Sequence, residues 1–254
     1  MKHRIALASA LASAFVLAQL LPASAHMQMI AADSLLVARP GPLTLTLSFG
    51  HVDGSGPMLD MPRPARLTVI HEVQRQSLLD DLTEAEAGKA FQVPLRVDGF
   101  GDYVVALEGA PYFDPAEGAV VEQFTKAVLN LGGAPSDWFD QIGLPVEIVP
   151  MVKPYAVPAG SVFTGRVVTR TGAVGYTQVE LIRVAGNPAD PPERPWPGAL
   201  TVITDDEGIF NVTIPAAGSW LLAAYGAGPQ KRTDTGQPLT QDALLVVQAH
   251  DWFR

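Results

Sequence analysis

Hydrophobic and polar residues alternate with a period of two along much of this chain. The clearest runs are residues 43–49, where leucine and phenylalanine alternate with threonine and serine, and residues 91–97. Alternation of this kind is typical of a β-strand with one buried face. Further apolar runs bounded by glycine and proline predict strands at residues 35–37, 66–73, 103–107, 145–150, 162–169, 179–184, 200–204, 210–214, 220–225 and 243–248.

Two segments leave the choice of element open. Residues 119–131 are compatible with a strand or with one short helix, and residues 80–89 with a polar turn or a short helix. The 23 glycines and 22 prolines lie between apolar runs as turn residues. Short strands at this spacing predict an all-β protein with two immunoglobulin-like or carboxypeptidase-regulatory-like β-sandwich domains. We place the first domain at residues 26–150 and the second at residues 151–254.

The first 25 residues have the pattern of a secretory signal peptide. A basic start is followed by an apolar run over residues 5–21 and by the small-residue site Ala23-Ser24-Ala25. This pattern predicts cleavage between Ala25 and His26 and export to the periplasm or the cell exterior. No later segment is apolar and long enough to cross a bilayer, so the mature chain is expected not to span a membrane.

Charge and cysteine content narrow the classes of function. Removal of the leader takes Lys2 and Arg4 but no acidic residue, which changes the formal net charge from −9 to −11. An acidic chain without a basic run argues against nucleic acid as a partner. The absence of cysteine excludes disulfides and thiolate metal sites. No Gly-x-Ser-x-Gly or His-Glu-x-x-His motif is present, so we predict a binding protein and no enzyme.

Candidate metal ligands are concentrated at the start of the mature chain. An N-terminal His26 would combine an α-amine that titrates near pH ~8 with an imidazole, and the two groups can chelate one ion. His51 follows a predicted strand in a glycine-rich loop, where functional residues are common. Imidazole suits nickel, copper, cobalt and zinc.

Methionines accompany these histidines. Met29, Met58 and Met61 lie within residues 26–61, the segment that also contains His26 and His51. Their thioethers would favour Cu(I). The alternative is that they fill gaps in the core, a common role of methionine. His71 lies in an apolar strand and suits a structural or surface role, and His250 suits a solvated tail.

The chain resembles the DUF4198 family of exported proteins over residues 25–247. The resemblance rests on Ala-His-Met-Gln-Met-Ile at residues 25–30, Gly50-His51, Met58-x-x-Met61-x-x-Pro64, Pro-Tyr-Phe-Asp-Pro-Ala-Glu at residues 111–117, Gly-Leu-Pro-Val-Glu-Ile-Val-Pro at residues 143–150, and shorter motifs at residues 124–126, 153–155, 159–163, 178–180, 205–210 and 215–220. It implies a periplasmic β-sandwich protein that binds nickel or cobalt and passes the ion to an inner-membrane metal transporter.

The resemblance also carries a ligand set to this chain. His26, Met29, His51, Met58 and Met61 stand at the matching positions. Where the family pattern has Pro-Phe-Glu after the second histidine, this chain has Val52-Asp53-Gly54, and Asp53 is the acidic ligand that remains available. Glu147 also stands at a family position, for which we expect a structural bridge at the domain junction, with metal ligation as the alternative.

The sequence leaves other functions open. The methionines would favour a copper-binding periplasmic protein, and an N-terminal histidine with a second histidine is also the arrangement of copper-dependent oxidative enzymes. The remaining hypothesis is a pair of metal-free β-sandwich modules that act in adhesion or envelope assembly.

Overall fold

The computed structural model describes residues 26–186 and 199–252. The predicted leader, residues 1–25, lies outside the described residues. The first strands in chain order are β1 Met27–Ala31, β2 Leu36–Val37, β3 Gly41–Gly50, β4 Met58–Leu59, β5 Arg66–His71, β6 Gln74–Ser77, β7 Thr83–Ala85, β8 Ala90–Val97, β9 Gly101–Glu108, β10 Tyr112–Asp114 and β11 Ala119–Leu131. The later strands are β12 Val146–Pro150, β13 Val157–Pro158, β14 Val162–Thr169, β15 Gly172–Ala173, β16 Gln178–Arg183, β17 Leu200–Ile203, β18 Ile209–Thr213, β19 Gly218–Ala224, β20 Lys231–Arg232 and β21 Pro238–His250.

These strands form three sheets. The largest has twelve strands, with the central order β17-β16-β19-β21-β11-β9-β5-β6. A five-stranded sheet follows the order β1-β3-β8-β7, with β4 paired to β3, and a four-stranded sheet is built from β12, β14, β15 and β18. The predicted all-β sandwich fold is confirmed. Strands from both sides of residue 150 share the twelve-stranded sheet through the parallel pairing of β11 with β21, and the domain boundary near that residue stays a prediction.

Strand β11 lies between the two smaller sheets. Successive side chains of a strand point to opposite faces. Gln123 and Thr125 bond β1, since Gln123 Oε1 accepts from the Gln28 backbone N–H at 2.8 Å and the Thr125 hydroxyl donates to the Gln28 carbonyl at 2.5 Å. Lys126 points the other way, to Glu147 of β12. Burial on both faces explains why this strand shows no alternation of polar and apolar residues.

A buried ion pair joins β11 to β12. Lys126 Nζ lies 2.5 Å from Glu147 Oε2, and both side chains are at most 1% exposed. The Glu147 carboxylate also accepts the backbone N–H groups of Ile142 at 3.1 Å and Gly143 at 2.9 Å. Burial lowers the pKa of Lys126, and the carboxylate opposes that shift. The pair therefore fixes the loop before β12 to the middle of the large sheet.

The structure decides the two ambiguous segments. Residues 119–131 form one continuous strand of 13 residues. Residues 80–89 contain the short strand β7 between two 3-10 turns, Leu79–Asp81 and Glu86–Gly88. No helix within the described ranges is long and apolar enough to cross a membrane.

Candidate metal centre

The pairing of β1 with β3 brings His26 and His51 together. The antiparallel register places Met27 opposite Gly50. His26, which precedes β1, therefore lies opposite His51, which follows β3. The two imidazole rings have centroids 4.9 Å apart and are nearly perpendicular, at 83°. Phe49 and Tyr112 complete an aromatic surround, with ring centroids 5.7 and 6.5 Å from the ring of His26. Two histidines that are 25 positions apart in sequence thus share one site.

The backbone of residue 26 is held in place by the large sheet. Its carbonyl accepts hydrogen bonds from the Tyr112 hydroxyl at 2.7 Å and from Gln123 Nε2 at 2.9 Å. Tyr112 lies in β10 and Gln123 in β11, and both donors are fixed by strand pairing. His26 is therefore positioned by the fold and does not behave as a loose chain end.

Asp114, the last residue of β10, adds a carboxylate to the two histidines. Its Oδ2 lies 4.0 Å from His26 Nδ1, and the side chain is 4% exposed. Its Oδ1 accepts the backbone N–H of Ala116 at 2.8 Å. One oxygen is thus anchored locally while the other faces the imidazole. Ligand atoms about 2.0–2.2 Å from one ion can lie up to about 4 Å apart across it, so both atoms could reach the same metal.

His51 has its own positioning groups. The Ser55 hydroxyl donates to Asp53 Oδ1 at 2.7 Å, so at 3.4 Å from His51 Nδ1 the same oxygen acts as acceptor. These two hydrogen bonds favour the His51 tautomer with the proton on Nδ1. Gly56 closes the loop over the ring, since a Cβ there would come within 2.5 Å of His51. Asp53, predicted as a ligand, is hydrogen-bonded to Ser55.

Acidic groups surround the site on the side of the large sheet. Burial and the charge of Asp114 raise the pKa of Glu117. Asp242 of β21 lies under Gln123, and burial raises its pKa to about 6, with Glu117 and Asp114 adding to the shift. Burial and the same three carboxylates raise the pKa of Tyr112 above its ordinary value. The result is a negative potential behind His26 that favours a cation.

The predicted methionine ligands separate into two groups. Met29 and Met61 are each 5% exposed and belong to the hydrophobic core, where thioethers commonly fill irregular space. Met58 is partly exposed and lies in β4, opposite Gly50 and therefore beside His51. Of the three, only Met58 stands next to the pair of histidines in the strand register.

The other residues considered as ligands have structural contacts elsewhere. The ring of His71 stacks on Tyr103 with centroids 4.0 Å apart, and its Nδ1 lies 2.9 Å from the Asp102 carbonyl. His250 Nε2 lies 2.9 Å from the Tyr155 carbonyl. Glu147 occupies the ion pair with Lys126 described above.

Side chains alone do not build a complete ligand shell. In the part of the chain that the structure describes, no group of three or more histidine, cysteine or acidic side chains is already arranged to hold a metal. Two histidines and one carboxylate approach each other here, and the free amine of an N-terminal His26 would supply a further ligand.

The model of a domain of unknown function, DUF4198, matches residues 23–228. The chain belongs to the DUF4198 family. That description states a family and no activity, and no curated protein matches the chain.

Solved structures similar to this DUF4198 protein are distant. Trypsin-activated α2-macroglobulin from Escherichia coli is 11% identical, with a TM-score of 0.28 over 89% of this chain and 16% of its own. The Escherichia coli adhesin FdeC is 14% identical, with a TM-score of 0.25 over 89% of this chain and 66% of its own. A two-domain fibronectin type-III segment of chicken tenascin is 10% identical, with a TM-score of 0.24 over 88% of this chain and 99% of its own. This DUF4198 chain thus spans less than two thirds of the length of the α2-macroglobulin and FdeC chains.

Sequence reasoning missed three groups of this DUF4198 site. Asp114 lies 88 positions after His26, and no local spacing links them, although the family motif at residues 111–117 contains it. Tyr112 belongs to the same motif and was not assigned a role. Ser55 carries no signal of its own, because a hydroxyl in a glycine-rich loop is common.

Proposed function

We propose that the exported chain, with His26 as its first residue, captures a divalent transition-metal ion. The amine and imidazole of His26, the imidazole of His51 and the carboxylate of Asp114 are the ligands. The observation that supports this proposal is the position of His26 between two other groups, with its imidazole centroid 4.9 Å from that of His51 and its Nδ1 4.0 Å from a carboxylate oxygen of Asp114. Nitrogen and oxygen ligands of this kind suit nickel and cobalt.

The proposed role is that of a periplasmic accessory protein in nickel or cobalt uptake, which passes the ion to an inner-membrane transporter. The resemblance of the family motifs suggested this role, and an open-sided site is compatible with it. His26 remains 28% exposed at the side chain. An ion held near the surface by few ligands can be transferred to a partner.

Calorimetric titration with Ni²⁺, Co²⁺ and Cu²⁺ tests the proposal. A chain that begins at His26 is compared with one that carries a single extra glycine before it. We expect tight binding that the extra glycine weakens strongly, because the amine is then displaced and replaced by an amide. Asp114→Asn and His51→Ala are also expected to weaken binding, whereas His250→Gln, remote from the site, serves as control. Equal binding by both chains would contradict a role of the amine.

The pH dependence gives a second test of the same ligand set. The amine and both imidazoles must lose their protons before they bind a metal. A free α-amine has a reference pKa of about 7.7–8.0. Affinity should therefore fall as the pH drops below about 8, because protons compete with the metal for the amine and for both imidazoles. An affinity that stays constant down to pH ~5 would refute these ligands.

Copper chemistry is the second candidate function. One amine and two nearly perpendicular imidazoles form a nitrogen-rich site, and Cu²⁺ binds such sites more tightly than Ni²⁺ or Co²⁺. Consumption of hydrogen peroxide by the copper-loaded chain, absent in His51→Ala, would favour an oxidative enzyme. A complex without such activity would leave metal transfer as the function.

A further inference from the structure

A groove lined with arginines lies apart from the metal centre. It has a volume of about 450 Å³, and its floor is formed by β5, β6 and β9. Side chains two apart on a strand share a face, so Arg66 and Thr68 of β5 line it together with Arg75 and Ser77 of β6. The loop at residues 142–144 and Arg170 form the wall.

The guanidinium groups of Arg75 and Arg170 each donate a hydrogen bond to the wall of the groove. Arg75 Nη2 donates to the Ile142 carbonyl at 3.0 Å, and Arg170 Nε donates to the Gly143 carbonyl at 2.9 Å. The N–H groups of these two loop residues bond the buried Glu147 carboxylate on the other side. The wall that holds both arginines is thus anchored to the interior of the protein.

The groove carries a positive charge that this acidic chain does not neutralise. Arg66 forms a bidentate pair with Glu108, at 2.7 and 2.6 Å. Over residues 26–186 and 199–252, neither Arg75 nor Arg170 has a carboxylate within 4.0 Å. A guanidinium has five N–H donors. Arg75 and Arg170 each use one of these donors in the hydrogen bond to the loop carbonyl. The local charge is therefore close to +2.

We propose that this groove binds a small organic dianion that carries either two carboxylates or a phosphate ester. Two guanidiniums without carboxylate partners match a charge of −2, and their planar forks bind the oxygen pairs of carboxylate and phosphate. Thr68 and Ser77 supply hydroxyl groups on the floor. The volume exceeds that of one ordered water, about 30 Å³, by enough to admit a small organic molecule.

NMR titration of the chain, freed of metal beforehand and dialysed into chelator-free buffer, tests this site. Succinate and phosphoserine represent the two dianion classes, and acetate is the monoanion control. We expect saturable shifts at the Nε–H resonances of Arg75 and Arg170 with at least one dianion and none with acetate. Succinate alone would indicate a dicarboxylate ligand, phosphoserine alone a phosphate ester, and both together a general dianion site.

Matched variants locate the binding. Arg75→Gln with Arg170→Gln should abolish saturation, and Arg75→Lys, which keeps the charge but loses the fork, should weaken binding about tenfold, as expected for one charge-assisted hydrogen bond. Arg96→Gln, an exposed arginine paired with Asp98 on the five-stranded sheet, should change nothing. Absence of saturation with every dianion, or equal binding by the double variant, would overturn the proposal. His51→Ala should bind the dianion normally, so this result is independent of the metal site.

Discussion

Asp242 provides a test of the acidic environment behind the candidate metal centre. This carboxylate is 1% exposed, accepts the Gly226 N–H at 2.9 Å and receives a longer bond of 3.3 Å from Gln123 Nε2. Burial raises its pKa from an ordinary value of 3.8 to about 6. A change of one in pKa is worth about 1.4 kcal/mol. The charged form therefore costs about 3 kcal/mol of folding free energy when the pH is above both values.

The sign of the pH dependence follows from linkage. Below about pH 4, Asp242 is protonated in the folded and the unfolded chain and contributes no charge term. Between about pH 4 and pH 6 the folded state binds more protons, so the stability contributed by this residue falls as the pH rises. Above about pH 6 the full penalty of about 3 kcal/mol is present. Asp242→Asn has no charge at any pH and escapes the penalty.

Urea unfolding at several pH values measures this effect. Asparagine keeps an oxygen for Gly226 but presents an N–H₂ group to Gln123, which loses about 1 kcal/mol of hydrogen bonding. We expect Asp242→Asn to be less stable than the wild type by about 1 kcal/mol near pH 3 and more stable by about 2 kcal/mol near pH 7.5. The change of about 3 kcal/mol between these conditions isolates the charge. An exposed control, Asp81→Asn, should show no such change. A difference that is constant with pH would refute the argument.

Three further predictions concern the loop that contains His51 and the buried pair of Lys126 with Glu147. Gly56→Ala should weaken metal binding with little change in stability, measured by calorimetry and thermal unfolding, because the new Cβ displaces the His51 ring. Ser55→Ala should shift the tautomer of His51, measured by ¹⁵N NMR of the metal-free chain, and should lower the affinity for metal about 10–100-fold. Ser55→Thr keeps the hydroxyl and should restore both. An unchanged tautomer in Ser55→Ala would contradict the proposed role of Ser55. Lys126→Met should destabilise by about 3–5 kcal/mol in urea, since it leaves the Glu147 charge buried alone, and adding Glu147→Gln should recover part of that loss; a cost below about 1 kcal/mol would argue against a buried charge.

The strand pattern was predictable because one-faced burial leaves a local signal. Strands β3 and β8 alternate in sequence as they do in burial, and their limits were found within a few residues. Strand β11 was ambiguous for the opposite reason. It is covered on both faces, so apolar residues and the buried polar residues Gln123, Thr125, Lys126 and Asn130 follow each other without alternation, and periodicity cannot distinguish it from a helix.

The site was predictable only where its parts are close in sequence or chemically unusual. His26 and His51 were proposed from residue type and from the predicted cleavage point, and the pairing of β1 with β3 brings them together. The burial of Met29 and Met61 depends on which face of each strand meets the core, which composition does not reveal. The approach of Asp114 depends on the pairing of β10 with β11 and on the packing of β1 over β11, which are long-range contacts.

If the amine of residue 26 is a ligand, as proposed, the fold sets a strict requirement on the position of cleavage. The carbonyl of residue 26 is fixed by Tyr112 and Gln123, so the fold determines where the nitrogen of that residue lies. Consecutive Cα atoms are 3.8 Å apart, and cleavage one residue earlier or later would move the amine by about that distance. This displacement exceeds a metal–nitrogen bond of about 2.0–2.1 Å. The proposed ligand set would therefore tie metal capture to completed export, because an uncleaved chain would have an amide in place of the amine at residue 26.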